Sequence, residues 1–547
     1  MLFHIVVLYL LDSVSAKSPH IIYILADDLG WNDVGFHGAG DIRTPNIDAL
    51  AYTGLILNHH YVTPLCSPSR SALMTGKYPI HTGMQHGVVK GAEPWGLSLD
   101  EKLLPEYLRD LGYRRHIVGK WHLGHFESKY TPLCRGFESH LGFWTGHHNY
   151  FDHTAEELPY WGVDMRRGMD TAWDLHGKYS TDVFSQEAVK VIERHDDTEP
   201  LFLYLAHGAT HSSNPYDLLP VPDETIEKFP NVQHYKRRKF AAMLSKVDDS
   251  VGAVVQALHK KKMLNDSVII FSSDNGGPAA GFNGNAASNY PLRGVKATPW
   301  EGGVRSSALI WSPRLSNPGR IFTQKMHIVD WLPTLLTLAG ANKSSIPASL
   351  DGLDMWQSMN TNESPPPRVI LHNIDVLAKY GAITMDNWKL INGTDYASYG
   401  SWYGPSAWDT PYIINEVIDS SAGRAVTSLG CQLTSTEITE LRENSKIECG
   451  ERNPSLPDCR PLKAPCLFDI HQDPCELNNL ANQNAEVLER MMRELIHLNS
   501  TAVPARNRKV DPRGNPALWN HTWHNFGDYT GKARGSDFQG DFICHSA

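Results

Sequence analysis

Alternation is the feature that most constrains how this chain folds. Short and almost uniformly apolar runs, HIIYILAD (20–27), LFLYLA (201–206), SVIIFSSDN (267–275) and VRSSALIWS (304–312), are separated by stretches of helical period. A strand covered on both faces has to be apolar at nearly every position. Between these runs, 240–258 places Phe240, Leu244, Val247, Val251, Val254 and Leu258 at spacings of three and four, the stripe of a helix lying on a core. Weaker helical periods cover 101–111, 181–194 and 328–338. Strands alternating with helices predict an α/β fold: a large, mostly parallel central sheet flanked by helices. At 547 residues the chain is too long for one ordinary core. Its texture changes after Pro365-Pro366-Pro367, where strand-like pieces at 382–393 and 466–473 precede an amphipathic stretch at 485–498. That pattern predicts a large domain over 17–365 and a smaller antiparallel α+β domain over 366–547. Residues 395–465 are rich in turn formers and show no usable period.

The first sixteen residues, MLFHIVVLYLLDSVSA, read as a secretory signal peptide. The apolar run Leu2–Leu11 is too short for a bilayer, and Val14-Ser15-Ala16 offers small residues for cleavage. No other segment reaches the ~18 consecutive apolar residues of a membrane helix. The last residues, DFICHSA, match neither a retention signal nor a lipid anchor. A secreted or lysosomal protein suits the six N-x-[ST] sequons at Asn265, Asn342, Asn362, Asn392, Asn499 and Asn520. It also suits the cysteines, of which six of 8 fall after residue 430: Cys431, Cys449, Cys459, Cys466, Cys475 and Cys544. Those six predict up to three disulfides with open connectivity. Cys66 and Cys134 stand apart. A formal net charge of -10 argues against nucleic acid as a partner, while leaving room for a small anion at a locally basic site.

Chemistry concentrates in a few short segments. Cys66-Ser67-Pro68-Ser69-Arg70 continues into SALMTGKYP, and Pro68 suits the first turn of a helix. A helix starting there would aim free N–H groups at an anion. Asp27-Asp28 and Asp274-Asn275 each directly follow an apolar strand run. Either pair alone is an ordinary turn signal. Together they set three carboxylates and an amide at strand ends, where open α/β sheets build sites. An all-oxygen set favours Ca²⁺ or Mg²⁺ over zinc. Gly119-Lys120-Trp121-His122-Leu123-Gly124 follows the strand-like YRRHIV, His211 follows LFLYLA, and Lys296 lies in a turn-rich segment ending GGVR.

The runs C-S-P-S-R-S-A-L-M-T-G and G-K-W-H-L-G resemble the type I sulfatases, above all the arylsulfatase B group. The resemblance is strong from about His20 to Val304 and weaker through HNID (372–375), NWKLING and CLFDIHQDPCELNNLA. It implies the alkaline-phosphatase/sulfatase-like sandwich fold. It also implies that Cys66 is oxidised to formylglycine by the formylglycine-generating enzyme, and that Asp27, Asp28, residue 66, Asp274 and Asn275 bind one Ca²⁺. On the same grounds Arg70 and Lys120 hold formylglycine and sulfate. His122 takes the proton that lets sulfate leave, and His211 with Lys296 contacts sulfate and protonates the departing alcohol. His207, four residues before His211, is the alternative acid. The family's disulfide pattern does not transfer, because 88–104 has no cysteine, and Cys134 then has no evident partner.

The expected reaction is hydrolysis of a sulfate monoester, with N-acetylgalactosamine 4-sulfate ends of glycosaminoglycans or small aryl or plant-derived sulfates as substrates. A phosphoryl hydrolase on the same fold would prefer Ser or Thr as nucleophile and zinc as metal. A non-catalytic binder of sulfated glycans would show gaps in the constellation. Specificity should lie in loops 87–99 with Trp95, 143–153, and Trp300-Glu301.

Overall fold

The computed structural model describes residues 18–361, 363–393, 397–406 and 410–529. The expected signal segment, Asn362 and Cys544 lie outside the described residues.

Ten strands form the main sheet: β1 (His20–Ala26), β2 (Leu55–Leu57), β3 (Arg114–Lys120), β4 (Ser139–Phe143), β5 (Arg166–Arg167), β6 (Asp170–Thr171), β7 (Leu201–Ala206), β8 (Ser267–Ser273), β9 (Ala308–Trp311) and β10 (Arg320–Phe322). Their spatial order is β10-β2-β9-β8-β1-β7-β3-β4-β5-β6. The central run β8-β1-β7-β3-β4 is parallel throughout, and antiparallel pairs enter only towards the edges. The expected fold class therefore holds.

Every residue of β1 is buried, and alternation sorts its side chains onto two cores. Ile22, Ile24 and Ala26 enter one apolar cluster, while Ile21, Tyr23 and Leu25 enter the other. Burying each isoleucine or leucine among them contributes roughly 1.5–3 kcal/mol, which explains the unbroken apolar run. On the first face lie α1 (Pro45–Thr53), α3 (Ser180–Arg194) and the long α4 (Tyr235–Lys260). The second face carries α2 (Cys66–Thr75) and α5 (Trp331–Leu338).

A second, antiparallel sheet is built from β11 (Val369–Asp375), β12 (Tyr380–Met385), β13 (Trp388–Asn392) and β14 (Cys466–Asp469), with α6 (Ala485–Ser500) beside it. The strand-like stretch 382–393 is thus most of a hairpin, turning at Asp386, whose φ of 51° is left-handed. The unassigned stretch holds three short helices, Ile414–Ile418, Ser421–Ser428 and Ser435–Ser445. Their apolar residues Val417, Ala422, Val426 and Ile438 complete the first core, packed with α1 and α4. Past Asn507 the chain packs against loop 87–99 and the hairpin of residues 154–163, and Trp523 is fully buried beside Ala92 and Ala155.

The cysteines differ in part from expectation. Cys449–Cys475 and Cys459–Cys466 are disulfides, Cys431 is a free thiol, and Cys134, expected to lack a partner, is disulfide-bonded. Among the sequons, Asn265, Asn342, Asn499 and Asn520 are exposed and Asn392 is half-buried. No helix among the described residues is long and apolar enough to cross a membrane.

Candidate active site

Four neighbouring parallel strands deliver the site from their carboxyl ends. Asp27-Asp28 leave β1, Asp274-Asn275 leave β8, Lys120 ends β3 with His122 just beyond, and β7 runs into the loop holding His211. Each strand stops where backbone pairing stops, so side chains just past the ends converge without losing ladder hydrogen bonds. Asp28 and His122 adopt left-handed φ values of 62° and 61°. A non-glycine residue there costs roughly 1–3 kcal/mol, a strain that tertiary contacts have to hold.

Cys66 is the first residue of α2, whose ten residues are all buried. Its Sγ lies 3.6 Å from Asp27 Oδ1, and burial pushes the thiol well above its ordinary pKa. Arg70, one turn further on, donates Nε and Nη2 to Asp274 Oδ2 at 3.0 and 2.9 Å, and Nη1 to the Lys120 carbonyl at 3.1 Å. Lys120 Nζ donates to Asp27 Oδ2 at 2.5 Å, and Lys296 Nζ meets Asp28 Oδ1 at 2.6 Å. Three buried carboxylates are thereby matched by three buried cations. Burial, and then the neighbouring Asp27, push Asp274 upward. Burial opposes the charge on Lys296, yet Asp28 beside it raises the ammonium above the ordinary lysine value.

The two imidazoles differ in what they offer. His122 Nε2 lies 3.0 Å from the Val89 carbonyl, so this nitrogen carries the proton and donates it. Nδ1 is buried without a partner and keeps a free lone pair. Burial, then Lys120 and Arg70, push His122 well below its ordinary pKa. Nδ1–H of His211 donates to the Ser212 carbonyl at 2.6 Å, leaving Nε2 3.6 Å from Asp28 Oδ2. Burial, then Lys296 and Lys120, also depress His211. Tyr150 OH shares its one proton between the carbonyls of Gly208 and His211, 2.7 and 2.8 Å away, and so ties down the His211 loop. His207 instead lies under the sheet with Nε2 3.1 Å from Ser250 Oγ on α4, and it is not among the residues lining the cleft.

Donor atoms of Asp27, Asp28, Cys66 and His211 lie within 4.8 Å of one another. Asn275 donates Nδ2 to Asp28 Oδ1 at 2.7 Å, while its Oδ1 is buried and without a partner. An orphaned amide oxygen beside three carboxylates fits an oxygen-liganded cation. The site opens into a cleft of about 480 Å³, with Cys66, His122, His211 and Lys296 at its floor. Of the expected specificity loops, 87–99 contributes Val88 and Lys90, and 143–153 contributes Gly146 and His147. Trp95, Trp300 and Glu301 are buried away from it. Sequence reasoning passed over Glu157, which carries no motif, and reached Tyr150 only as a member of loop 143–153.

The sulfatase family profile matches residues 19–341. The chain belongs to the sulfatase family. As a sulfatase it is a sulfuric ester hydrolase, and its relatives agree. It is 37% identical over 533 residues to arylsulfatase J of Mus musculus, covering 93% of this chain and 81% of that protein. N-acetylgalactosamine-6-sulfatase of Homo sapiens is 28% identical over 503 residues, 88% of this chain and 85% of the relative. The crystal structure of Ps i-CgsB in complex with k-i-k-neocarrahexaose superposes with a TM-score of 0.69 at 28% identity, covering 90% of this sulfatase and 94% of that chain.

Proposed function

We propose that this sulfatase removes sulfate from sulfated sugars, arylsulfatase B-like N-acetylgalactosamine 4-sulfate ends of glycosaminoglycans first among them. Cys66 acts after conversion to formylglycine by the formylglycine-generating enzyme, with Ca²⁺ as metal. One juxtaposition carries the reading: residue 66 heads a buried helix inside a ring of three carboxylates and three cations, with two imidazoles, His122 and His211, lining the same cleft. The sugar class is supported by an N-acetylgalactosamine-6-sulfatase relative and by a structural neighbour solved with a neocarrahexaose. Apolar Leu218 and Phe282 in the cleft lining favour aryl sulfates as the second reading.

Asp27, Asp28, Asp274, Asn275 Oδ1 and the oxygen of residue 66 would hold Ca²⁺, which supplies Lewis acidity towards sulfate and towards the nucleophilic hydroxyl. Hydrated formylglycine is a gem-diol. One hydroxyl gives its proton to the Asp27 carboxylate, whose Oδ1 lies 3.6 Å from the Sγ of residue 66, and bonds to sulfur as the ester S–O bond breaks. The departing alkoxide takes a proton from His211, with Lys296 beside it. An entering sulfate brings negative charge next to His211 and so favours its protonated form. Nδ1 of His122 then takes the proton of the second hydroxyl, the aldehyde C=O re-forms, and the C–O bond to sulfate breaks. Serine at this position has no such exit and would stay esterified. Arg70 and Lys120 hold the oxygens of residue 66 and sulfate throughout. The same reading takes 17–365 as the catalytic unit and 366–547 as a smaller one, and places the glycosylated protein in the lysosome or outside the cell.

Protein secreted from cells competent for the modification tests this. The tryptic peptide ending at Arg70 should carry an aldehyde in place of the thiol, metal analysis should return calcium, and sulfated N-acetylgalactosamine should be cleaved. Stoichiometric zinc, or an active enzyme whose Cys66 still alkylates, would falsify the mechanism.

A further inference from the structure

The cleft has a wall that the chemistry above does not use. Strands Thr154–Glu157 and Tyr160–Val163 form a hairpin whose tip residue, Leu158, is 73% exposed at the cleft mouth. Just inside that lip is Glu157. Its Oε1 accepts the Gly146 N–H at 3.0 Å, and its side chain keeps only 10% of its surface, in the cleft it lines. His147 Nδ1 lies 3.9 Å from the same oxygen, too far for a hydrogen bond between them. Its ring stacks on that of His211, with centroids 5.7 Å apart and planes 19° apart. A Cβ on Gly146 would stand 2.9 Å from His122 Nε2 and 3.1 Å from Glu157 Oε1, so the carboxyl borders the second imidazole as well.

Placement decides what this wall can touch. The alcohol departs on the side of the group that protonates it, so its carbon skeleton leaves past His211 and lies against His147 and Glu157. A carboxyl with two acceptor oxygens, and an imidazole with two ring nitrogens whose side chain also bonds Asn214, match the hydroxyls of a pyranose. A plain aryl ring offers them nothing to bond. Burial pushes Glu157 up to about 7, against the pull of the Gly146 N–H, and a hydroxyl partner would offset part of that desolvation.

Taking the sulfated-sugar reading as its basis, we propose that Glu157 and His147 form the leaving-group subsite of this sulfatase and select a hydroxyl-bearing sugar by hydrogen bonding to hydroxyls next to the ester. Glu157→Leu removes the acceptors at similar size, and Glu157→Gln restores hydrogen bonding. His147→Phe keeps the stacking on His211 but deletes the ring nitrogens. The measurement is kcat/KM on a sulfated N-acetylhexosamine divided by kcat/KM on nitrophenyl sulfate. In E157L and H147F this ratio should fall roughly 10–100-fold, with E157Q recovering most of it. A second readout needs no catalysis: saturation-transfer NMR of unsulfated N-acetylgalactosamine on the Cys66 form, where E157L should lose the signal seen with the parent chain. Equal losses on both esters with sugar binding intact would make the pair a structural support for His122 and His211, and would overturn the proposal. If the parent chain cleaves neither ester, the sulfate-ester reading of this cleft fails, and the NMR comparison still decides the subsite.

Discussion

His122 carries its backbone at a φ of 61°, donates Nε2–H to Val89, and keeps a buried lone pair on Nδ1. His211 presents the other face: Nδ1 is tied to Ser212 and Nε2 is turned towards Asp28 and the cleft. The two rings therefore suit opposite halves of the reaction, and leaving-group dependence separates them. General acid catalysis matters most when the leaving alkoxide is strongly basic. His211→Ala should slow sulfated sugars by roughly 10²–10⁴-fold and an activated nitrophenyl sulfate distinctly less. Lys120→Ala removes a buried cation that sits on Asp27 and, in the proposed mechanism, holds residue 66 and sulfate, so its loss should be similar for both esters. Plotting log kcat/KM against leaving-group pKa for each variant checks this. A slope that His211→Ala does not steepen would reduce His211 to a sulfate contact and move the acid role to Lys296.

Between elements, the join of the two sheets is held by charge as well as by packing. Lys389 of β13 lies 2.8 Å from Glu301 Oε1 and 2.9 Å from Glu476 Oε1, and all three side chains are fully buried. Tyr61 OH donates to the other oxygen of Glu301 at 3.1 Å, and the Glu301 N–H donates to Glu476 Oε2 at 2.8 Å. Glu301 opens the turn after the segment that carries Lys296, so the second sheet braces one wall of the site. Lys389→Met leaves buried Glu476 without its cation and Glu301 with only Arg305, 3.6 Å from its Oε2, a change that costs about 3–5 kcal/mol. Urea unfolding of the variant should show that loss, whereas a loss under ~1 kcal/mol would mean that solvent enters the join. Closer to the chemistry, Gly119 has a φ of 106° where β3 meets β7, and a Cβ there would sit 1.9 Å from the Ala206 carbonyl oxygen. Only glycine lets the β3 end carry Lys120 so close to β7.

For the whole molecule, buried histidines set the response to acid. His60, His125 and His207 are buried, and desolvation pushes each down to about 3. An unfolded histidine titrates near ~6.5, so below that pH the unfolded chain binds protons that the folded chain refuses. Their contribution is complete above about 6.5 and is lost as pH falls towards 3. Asp48 and Glu476 act with opposite sign: burial raises both to about 7, and their contribution is lost as pH rises from ~4 through 7. Burial also pushes His116, His140, His153 and His524 down to about 4. The depressed histidines therefore outnumber the raised carboxyls, Glu157 and Asp248 included, and Tm should peak near about pH 6.5 and fall steeply on the acid side. His207→Gln should flatten that acid limb by up to about 1.4 kcal/mol per pH unit. A Tm maximum at pH 4–5 would show that these rings are charged in the folded protein.

Contiguous chemistry was the legible part. The strand runs announced a two-sided sheet because a buried strand has to be apolar at each position, and β1, β7 and β8 appear where those runs lie. Cys66 to Arg70 could be read directly because a nucleophile at a helix start and its cation one turn later are neighbours in the chain. Asp27-Asp28 and Asp274-Asn275 were legible as strand-end pairs, but that they meet follows only from β8 pairing with β1, a contact between residues some 250 positions apart. Sheet order, the packing of Trp523 on Ala92 and Ala155, and the Lys389 join share this dependence on distant pairing. Glu157 left no trace at all in the sequence, since T-A-E-E before Leu-Pro reads as an ordinary exposed hairpin. What makes that carboxyl part of a cleft is burial against Gly146 and His147, and burial is a property of the folded whole rather than of any segment.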